Sequence, residues 1–167
     1  TLSAGIGQGY MLATPLQLAQ ATVALANRGE SFTPSVVRRI GEKQVGGLPR
    51  EPVIASDHHW AIVIAGMVDV VHSRRGTAHA IADGLTYTIA GKTGTSQVIG
   101  IAQDEEYDED NIAERHRNHG WFIAFAPVDE PSIVVVVLAE NGGGSSAAYP
   151  VARRVIDRWL AGGKTDG

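Results

Sequence analysis

The stretch Thr86–Val98, TYTIAGKTGTSQV, holds the residues whose types and spacing suit chemistry: Lys92, Thr93, Gly94 and Thr95. Two chemistries compete for it. Gly91-Lys92-Thr93 matches the end of a phosphate-binding loop, whereas Lys92-Thr93-Gly94-Thr95 matches a carboxylate clamp on a strand. A phosphate-binding loop needs a strand, then Gly-x4-Gly-Lys-Ser/Thr, then a helix whose N-terminus meets the phosphates. The first glycine of that pattern falls at position 86, which is Thr86, and GTSQVIG after Thr93 is β-like rather than helical. Both requirements fail. The run GIGQG at 5–9 fails as a dinucleotide fingerprint as well, with no strand before it and no third glycine at the right spacing.

Read as a strand, the same residues make better sense. Alternation puts the Thr93 and Thr95 hydroxyls on one side. A glycine inside a strand, here Gly94, marks a place where something approaches the backbone closely. A lysine, two hydroxyls and an open backbone edge suit a carboxylate, and a peptide can add itself to such an edge as an extra strand. From these four residues alone, a plain strand with a solvent-facing lysine remains open.

The elements that must position this strand are legible around it. In ATPLQLAQATVALANRG, Thr14 is an N-cap, Pro15 suits the first helical position and Gln17 completes a capping box. Leu18, Ala21 and Leu25 share a face, and Asn27-Arg28-Gly29 stops the helix. Short strands are expected in SFTPSVVRRI and at Lys43–Val45, around Gly41. A second helix runs from about Ser56 to Val71, with Trp60, Val63, Ile64, Met67, Val68 and Val71 at helical spacing. After a polar excursion at 103–120, WFIAFAP and SIVVVVLAE form a hairpin through a short Asp/Pro turn. The unbroken IVVVV predicts a strand covered on both faces. The helix AAYPVARRVIDRWLA closes the chain, with Ala152, Val155, Ile156, Trp159 and Leu160 expected inward. The class is α+β, an antiparallel three-stranded portion of sheet covered by helices.

Composition narrows the function. The 167 residues are the size of one domain, and 44% hydrophobic content supplies a core. A formal net charge of −4 argues against nucleic acid, which selects clustered Lys and Arg. With no cysteine there is neither a disulfide nor a thiolate metal site. The longest apolar runs fall far short of the roughly 20 residues that span a bilayer. TLSAGIGQGY opens without an initiator Met in loop-like sequence, and the expectation is a portion of a longer protein.

Other chemistry-bearing residues read as ordinary. His116 and His119 lie near the acidic run Asp104–Asp110, but two histidines three apart without a firm third ligand make no metal site. The acidic run reads as a surface loop beside the cleft, with gating as the alternative. His58 and His59 fall in a first helical turn and read as surface. Arg74, Arg75 and Thr77 stand either on a cleft rim or in a plain helix-to-strand connection. Trp121 and Phe122 read as core.

The chain resembles the serine penicillin-recognising enzymes, whose third motif is Lys-Thr-Gly and whose first two are Ser-x-x-Lys and Ser-x-Asn. GIGQGYMLATPLQLAQATVALANRG looks like the stretch after the second motif in class B penicillin-binding proteins. GTAH, AGKTGTSQV, IAER, FIAFAP and LAENGG follow in the order expected of the elongation-specific group, penicillin-binding protein 2. The resemblance covers nearly the whole chain and implies a β-lactamase/transpeptidase-like fold. It departs at one point: neither Ser-x-x-Lys nor Ser-x-Asn occurs, Ser35 being followed at the lysine place by Arg38. Residues 1–167 are therefore expected to be the C-terminal portion of a single transpeptidase domain, with the nucleophile upstream.

In that family, an activated serine attacks the penultimate D-alanine carbonyl of a peptidoglycan stem peptide, and an amine from a neighbouring strand resolves the acyl-enzyme. Carried onto this sequence, the resemblance gives Lys92 the positive charge beside the second-motif serine and the substrate carboxylate. Thr93 and Thr95 hydroxyls bind that carboxylate, Gly94 lets substrate lie close, and the Thr95 backbone N–H is one oxyanion donor. β-Lactams engage the same groups. No cofactor is implied. The implied partners are the stem peptide, β-lactam antibiotics, the N-terminal part of the same domain and membrane proteins of the elongation complex. The implied location is the periplasmic face of the inner membrane. A noncatalytic penicillin-fold binding module is the alternative, with a β-lactamase or carboxypeptidase as further possibilities.

Overall fold

The computed structural model describes residues 12–98 and 112–162. Helix α1 spans Pro15–Ala26, and its start is the expected reciprocal cap. Gln17 N–H donates to Thr14 Oγ1 at 3.2 Å, and Thr14 N–H donates to Gln17 Oε1 at 2.8 Å. Two donors that the helix itself leaves without acceptors are thus satisfied. Strands β1 (Arg39–Ile40) and β2 (Lys43–Gln44) form a small antiparallel hairpin about Gly41, whose φ of 60° suits glycine. Its second strand ends at Gln44, one residue earlier than expected, although Val45 N–H still donates to the Arg38 carbonyl at 3.0 Å.

Helix α2 covers Asp57–His72, with Ser56 Oγ capping His59 N–H at 3.3 Å. Trp60, Met67 and Val71 are buried as the spacing predicts. Val63 is not. It stays 46% exposed, because the buried row is a narrower stripe than the sequence pattern.

Strands β3 (Ala90–Ser96), β4 (His119–Ala126) and β5 (Ile133–Ala139) form an antiparallel sheet in the order β3-β4-β5. Helix α3, Tyr149–Leu160, follows a 3₁₀ turn at Ser145–Ala147. One face of the sheet presents Phe122, Ala124, Ala126 and Val135, which pack with Val71, Ile81 and Ile89 against Ala148, Ala152 and Ile156. The other face presents Ala90, Phe125 and Val134, covered by Leu25 and Ala26 of α1 and by Ile64, Met67 and Val68 of α2. The apolar β5 thus has helices on both faces, and α1 rather than α2 is its second cover. The cover on that face is incomplete. Trp121, Ile123, Val136 and Leu138, toward the Lys92 end, are only half-buried.

The closing helix corrects one expectation. Ala152 and Ile156 are buried and Leu160 is half-buried, but Val155 and Trp159 are 44% and 55% exposed. Residues four apart stack in one row. The row 152-156-160 meets the sheet, and 151-155-159 is the next row, which faces solvent.

The inner flank of α3 is pinned instead by polar bonds. Tyr87 Oη donates to Asp157 Oδ1 at 2.5 Å, while Arg153 pairs with Asp157 at 2.7 Å and donates to the Ile81 and Asp83 carbonyls. Burial, and then the neighbouring Asp157 carboxylate, hold the Tyr87 phenol well above its ordinary pKa. The expected result for Tyr87→Phe is a loss of about 1.5–3 kcal/mol, the value of one hydrogen bond to a charged acceptor, read as a shift of the urea midpoint. An unchanged midpoint would show that this contact contributes nothing net.

Candidate functional site

Strand β3 carries all four sequence-predicted site residues. It pairs with β4 on one side only, and no second strand joins it among the described residues. Two glycines let it lie tight on β4. A Cβ at Gly91 would stand 2.5 Å from Phe122 Cζ, and a Cβ at Gly94 would stand 3.2 Å from Trp121 Cβ. The close approach that Gly94 implies is therefore made, on this face, by Trp121.

The register sorts the side chains. Lys92 is opposite Ile123 and Gly94 is opposite Trp121, so both lie on the face with the half-buried apolar patch. Thr93 is opposite Phe122 and Thr95 is opposite Gly120, so the two hydroxyls share the other face, as alternation predicts. Lysine and hydroxyls thus flank the strand instead of clustering on one side. Lys92 is exposed, and its Nζ turns to the Thr93 carbonyl at 2.6 Å. Strand geometry places the Thr95 N–H on the same edge as that carbonyl.

Three contacts that sequence spacing did not reveal hold the strand. The Thr77 and Thr93 hydroxyls lie 2.8 Å apart, which settles Thr77 beside the strand while Arg74 and Arg75 lie outside that contact. Ile89 N–H donates to His72 Nε2 at 3.1 Å, tying the entry of β3 to the end of α2. Trp121 Nε1 donates to Ser96 Oγ at 3.0 Å, fixing its exit.

Of the histidines weighed for a metal, His119 has a structural task. Its Nδ1 accepts the Asn141 N–H at 2.9 Å, and Asn141 Nδ2 donates to the Arg115 and Arg117 carbonyls. Asn141 adopts a φ of 54°, a left-handed conformation that asparagine tolerates better than most residues. The His116 ring meets Arg115 at 3.3 Å, and His58 and His59 are exposed on the first turn of α2. Phe122 is fully buried, as the core reading expects, whereas Trp121 is only half-buried and stands outside the core, on the half-covered patch. The acidic run Asp104–Asp110 lies outside the described residues.

A lysine-threonine-glycine strand at a sheet edge, with helices on both faces, calls for comparison with proteins of known kind. The sequence pattern of the penicillin binding protein transpeptidase domain matches residues 1–157. The chain belongs to this transpeptidase-domain family. Peptidoglycan D,D-transpeptidase MrdA of Haemophilus influenzae is 41% identical over 167 residues, 96% of this chain and 26% of the relative. The crystal structure of Pseudomonas aeruginosa penicillin-binding protein 2 in complex with WCK 5153 superposes with a TM-score of 0.80 at 41% identity, over 95% of this chain and 33% of that one. Helicobacter pylori penicillin-binding protein 2, in its complex with MreC, gives a TM-score of 0.74 at 28% identity, over 96% and 27%. The chain spans about a quarter of the length of the curated relative. The α+β architecture read from the sequence is thus that of the penicillin-binding protein transpeptidase fold, and the resemblance to the penicillin-binding protein 2 group holds.

Proposed function

We propose that residues 1–167 are the C-terminal portion of a serine D,D-transpeptidase domain and supply the Lys-Thr-Gly wall of its cleft. The observation that carries this reading is the placement of Lys92. It projects from the edge strand on the same face as Trp121, Ile123, Val136 and Leu138, which no described element fully covers. A half-covered apolar patch next to an exposed lysine suits a docking element that brings its own reactive groups to that lysine. The sequence has no Ser-x-x-Lys, so the nucleophile belongs to that other element.

In this reading, the stem-peptide carboxylate lies along β3. Lys92 gives it long-range attraction, and the Thr93 and Thr95 hydroxyls donate to its oxygens. Gly94 puts no side chain between the substrate and the strand, while Trp121 meets it from the patch face. The Thr95 N–H and the N–H of the serine stabilise the oxyanion that forms as the serine Oγ adds to the D-alanyl carbonyl. Collapse of the tetrahedral species expels D-alanine and leaves an acyl-serine, which an incoming amine resolves. A β-lactam is attacked in the same way, but its opened ring stays attached. None of these steps calls on a cofactor.

The Helicobacter pylori relative forms a complex with MreC, which supports a membrane-associated assembly of the elongation type as partner. Cross-linking peptidoglycan implies work at the periplasmic face of the inner membrane. In this reading the intact protein is anchored by an N-terminal helix; no described helix is long and apolar enough to cross a membrane.

The test is to acylate the intact protein with a fluorescent penicillin and map the adduct. The expected result is one labelled serine, outside residues 1–167 and three residues before a lysine. Absence of any adduct favours the noncatalytic binding module, and a labelled serine within residues 1–167 overturns the placement of the nucleophile.

A further inference from the structure

The segment between α2 and β3 is built to hold one hydroxyl still. Gly76 lies against the Asp69 and Val70 carbonyls of the last turn of α2, so closely that a Cβ there would collide with both. Gly76 N–H donates to the Ser73 carbonyl at 2.8 Å. Two residues later, Ala78 is fully buried and its N–H donates to the Val70 carbonyl at 2.9 Å. Thr77 sits between these anchors, with its side chain outward and its hydroxyl 2.8 Å from that of Thr93. The segment packs on the helix end through Gly76 and Ala78, and neither needs a hydroxyl at 77. A small apolar residue there would satisfy packing equally well.

We propose that Thr77 is a positioning residue for the carboxylate-binding hydroxyl of Thr93. This inference rests on the reading of Thr93 given above and adds a residue to it. Each hydroxyl has a single proton to give. When Thr93 donates to a carboxylate oxygen, the 2.8 Å bond must run from Thr77 O–H to Thr93 Oγ1. The chain is then Thr77 to Thr93 to carboxylate, and each bond polarises the next. Without Thr77, the Thr93 rotor has no fixed acceptor role and is not aimed.

The test uses the intact protein, with benzylpenicillin and its methyl ester as probes and the second-order rate of acylation as readout. Thr77→Val is expected to slow benzylpenicillin about tenfold, the scale of one lost hydrogen bond. Thr77→Ser is expected to stay within about twofold of the parent, because the donor is retained. Thr93→Val should lose at least as much as Thr77→Val, and the double variant no more than Thr93→Val alone. With the methyl ester, which has no carboxylate, Thr77→Val and the parent should react alike. The proposal is overturned if Thr77→Val matches the parent on benzylpenicillin while Thr93→Val falls, which would leave the function reading intact. Equal losses on the free acid and the ester would also overturn it, by showing a merely structural effect. A parent that does not acylate at all overturns both the function reading and this inference.

Discussion

Lys92→Ala in the intact protein slows acylation by penicillin about 10–100-fold, the scale of a lost charge-assisted hydrogen bond. The same substitution moves the melting temperature by no more than about 2 °C. Two observations set these opposite magnitudes. Lys92 is exposed, and its ammonium bonds to the carbonyl of the next residue, so folding loses little when the side chain goes. That ammonium is nevertheless the cation that projects from β3 beside the half-covered patch, where the proposed mechanism puts the reactive serine. Lys92→Arg separates charge from shape. A guanidinium keeps the charge but is planar and bulkier, so partial activity is expected if the ammonium is a point charge in a confined site. Acylation of Lys92→Ala within about twofold of the parent would return Lys92 to the role of a solvent-facing strand lysine.

Much of this site is readable from sequence because strand chemistry is local. The failure of the phosphate-loop pattern at Thr86 follows from residues just before and within β3, and the alternation that puts Thr93 and Thr95 together follows from that strand alone. The capping box at Thr14 and Gln17 is local in the same way. The Thr77–Thr93 bond is not readable. It joins residues 16 apart through a turn whose path is set by Gly76 meeting the end of α2, and no periodicity encodes that. The alternation rule also carries a consequence for Lys92, which stands across the strand from the hydroxyls and not beside them. On α3, the apolar Val155 and Trp159 stand close enough to the buried stripe to look like part of it. The sheet covers one row of that helix, so the neighbouring row is left outside. His119 reads in sequence as an ordinary histidine, and its bond from the N–H of Asn141, which turns left-handed there, joins residues 22 apart and is marked by no local pattern.

The 167-residue chain on its own is expected to be marginally stable or to self-associate, and to take up no penicillin. Its core is real, with Phe122, Phe125, Ile89, Ile156 and Val71 fully buried. What it leaves uncovered is also large. Leu16, Ile62, Val63, Val151, Val155 and Trp159 are each 44–60% exposed, and the sheet patch of Trp121, Ile123, Val136 and Leu138 is half-covered. Complete burial of such a side chain contributes roughly 1.5–3 kcal/mol, so half-burial of several of them forgoes about 5 kcal/mol. A whole domain has only about 5–15 kcal/mol in total. Among the described residues, β3 and β5 each pair on one side only, and their outer edges add a route to association through strand pairing. On the proposed reading, adding the N-terminal part of the domain as a separate chain should therefore raise the melting temperature, shift the oligomers to a one-to-one complex, and restore labelling by fluorescent penicillin. Each readout reports a different thing: melting the covered apolar surface, sedimentation the blocked edges, and labelling the serine brought to Lys92. A monomer that melts cooperatively at the temperature of the intact domain, with no gain from the added part, would show that these residues are a self-sufficient fold. Restored melting without labelling would mean that the patch docks its partner but that the Lys92 wall is not where the serine arrives.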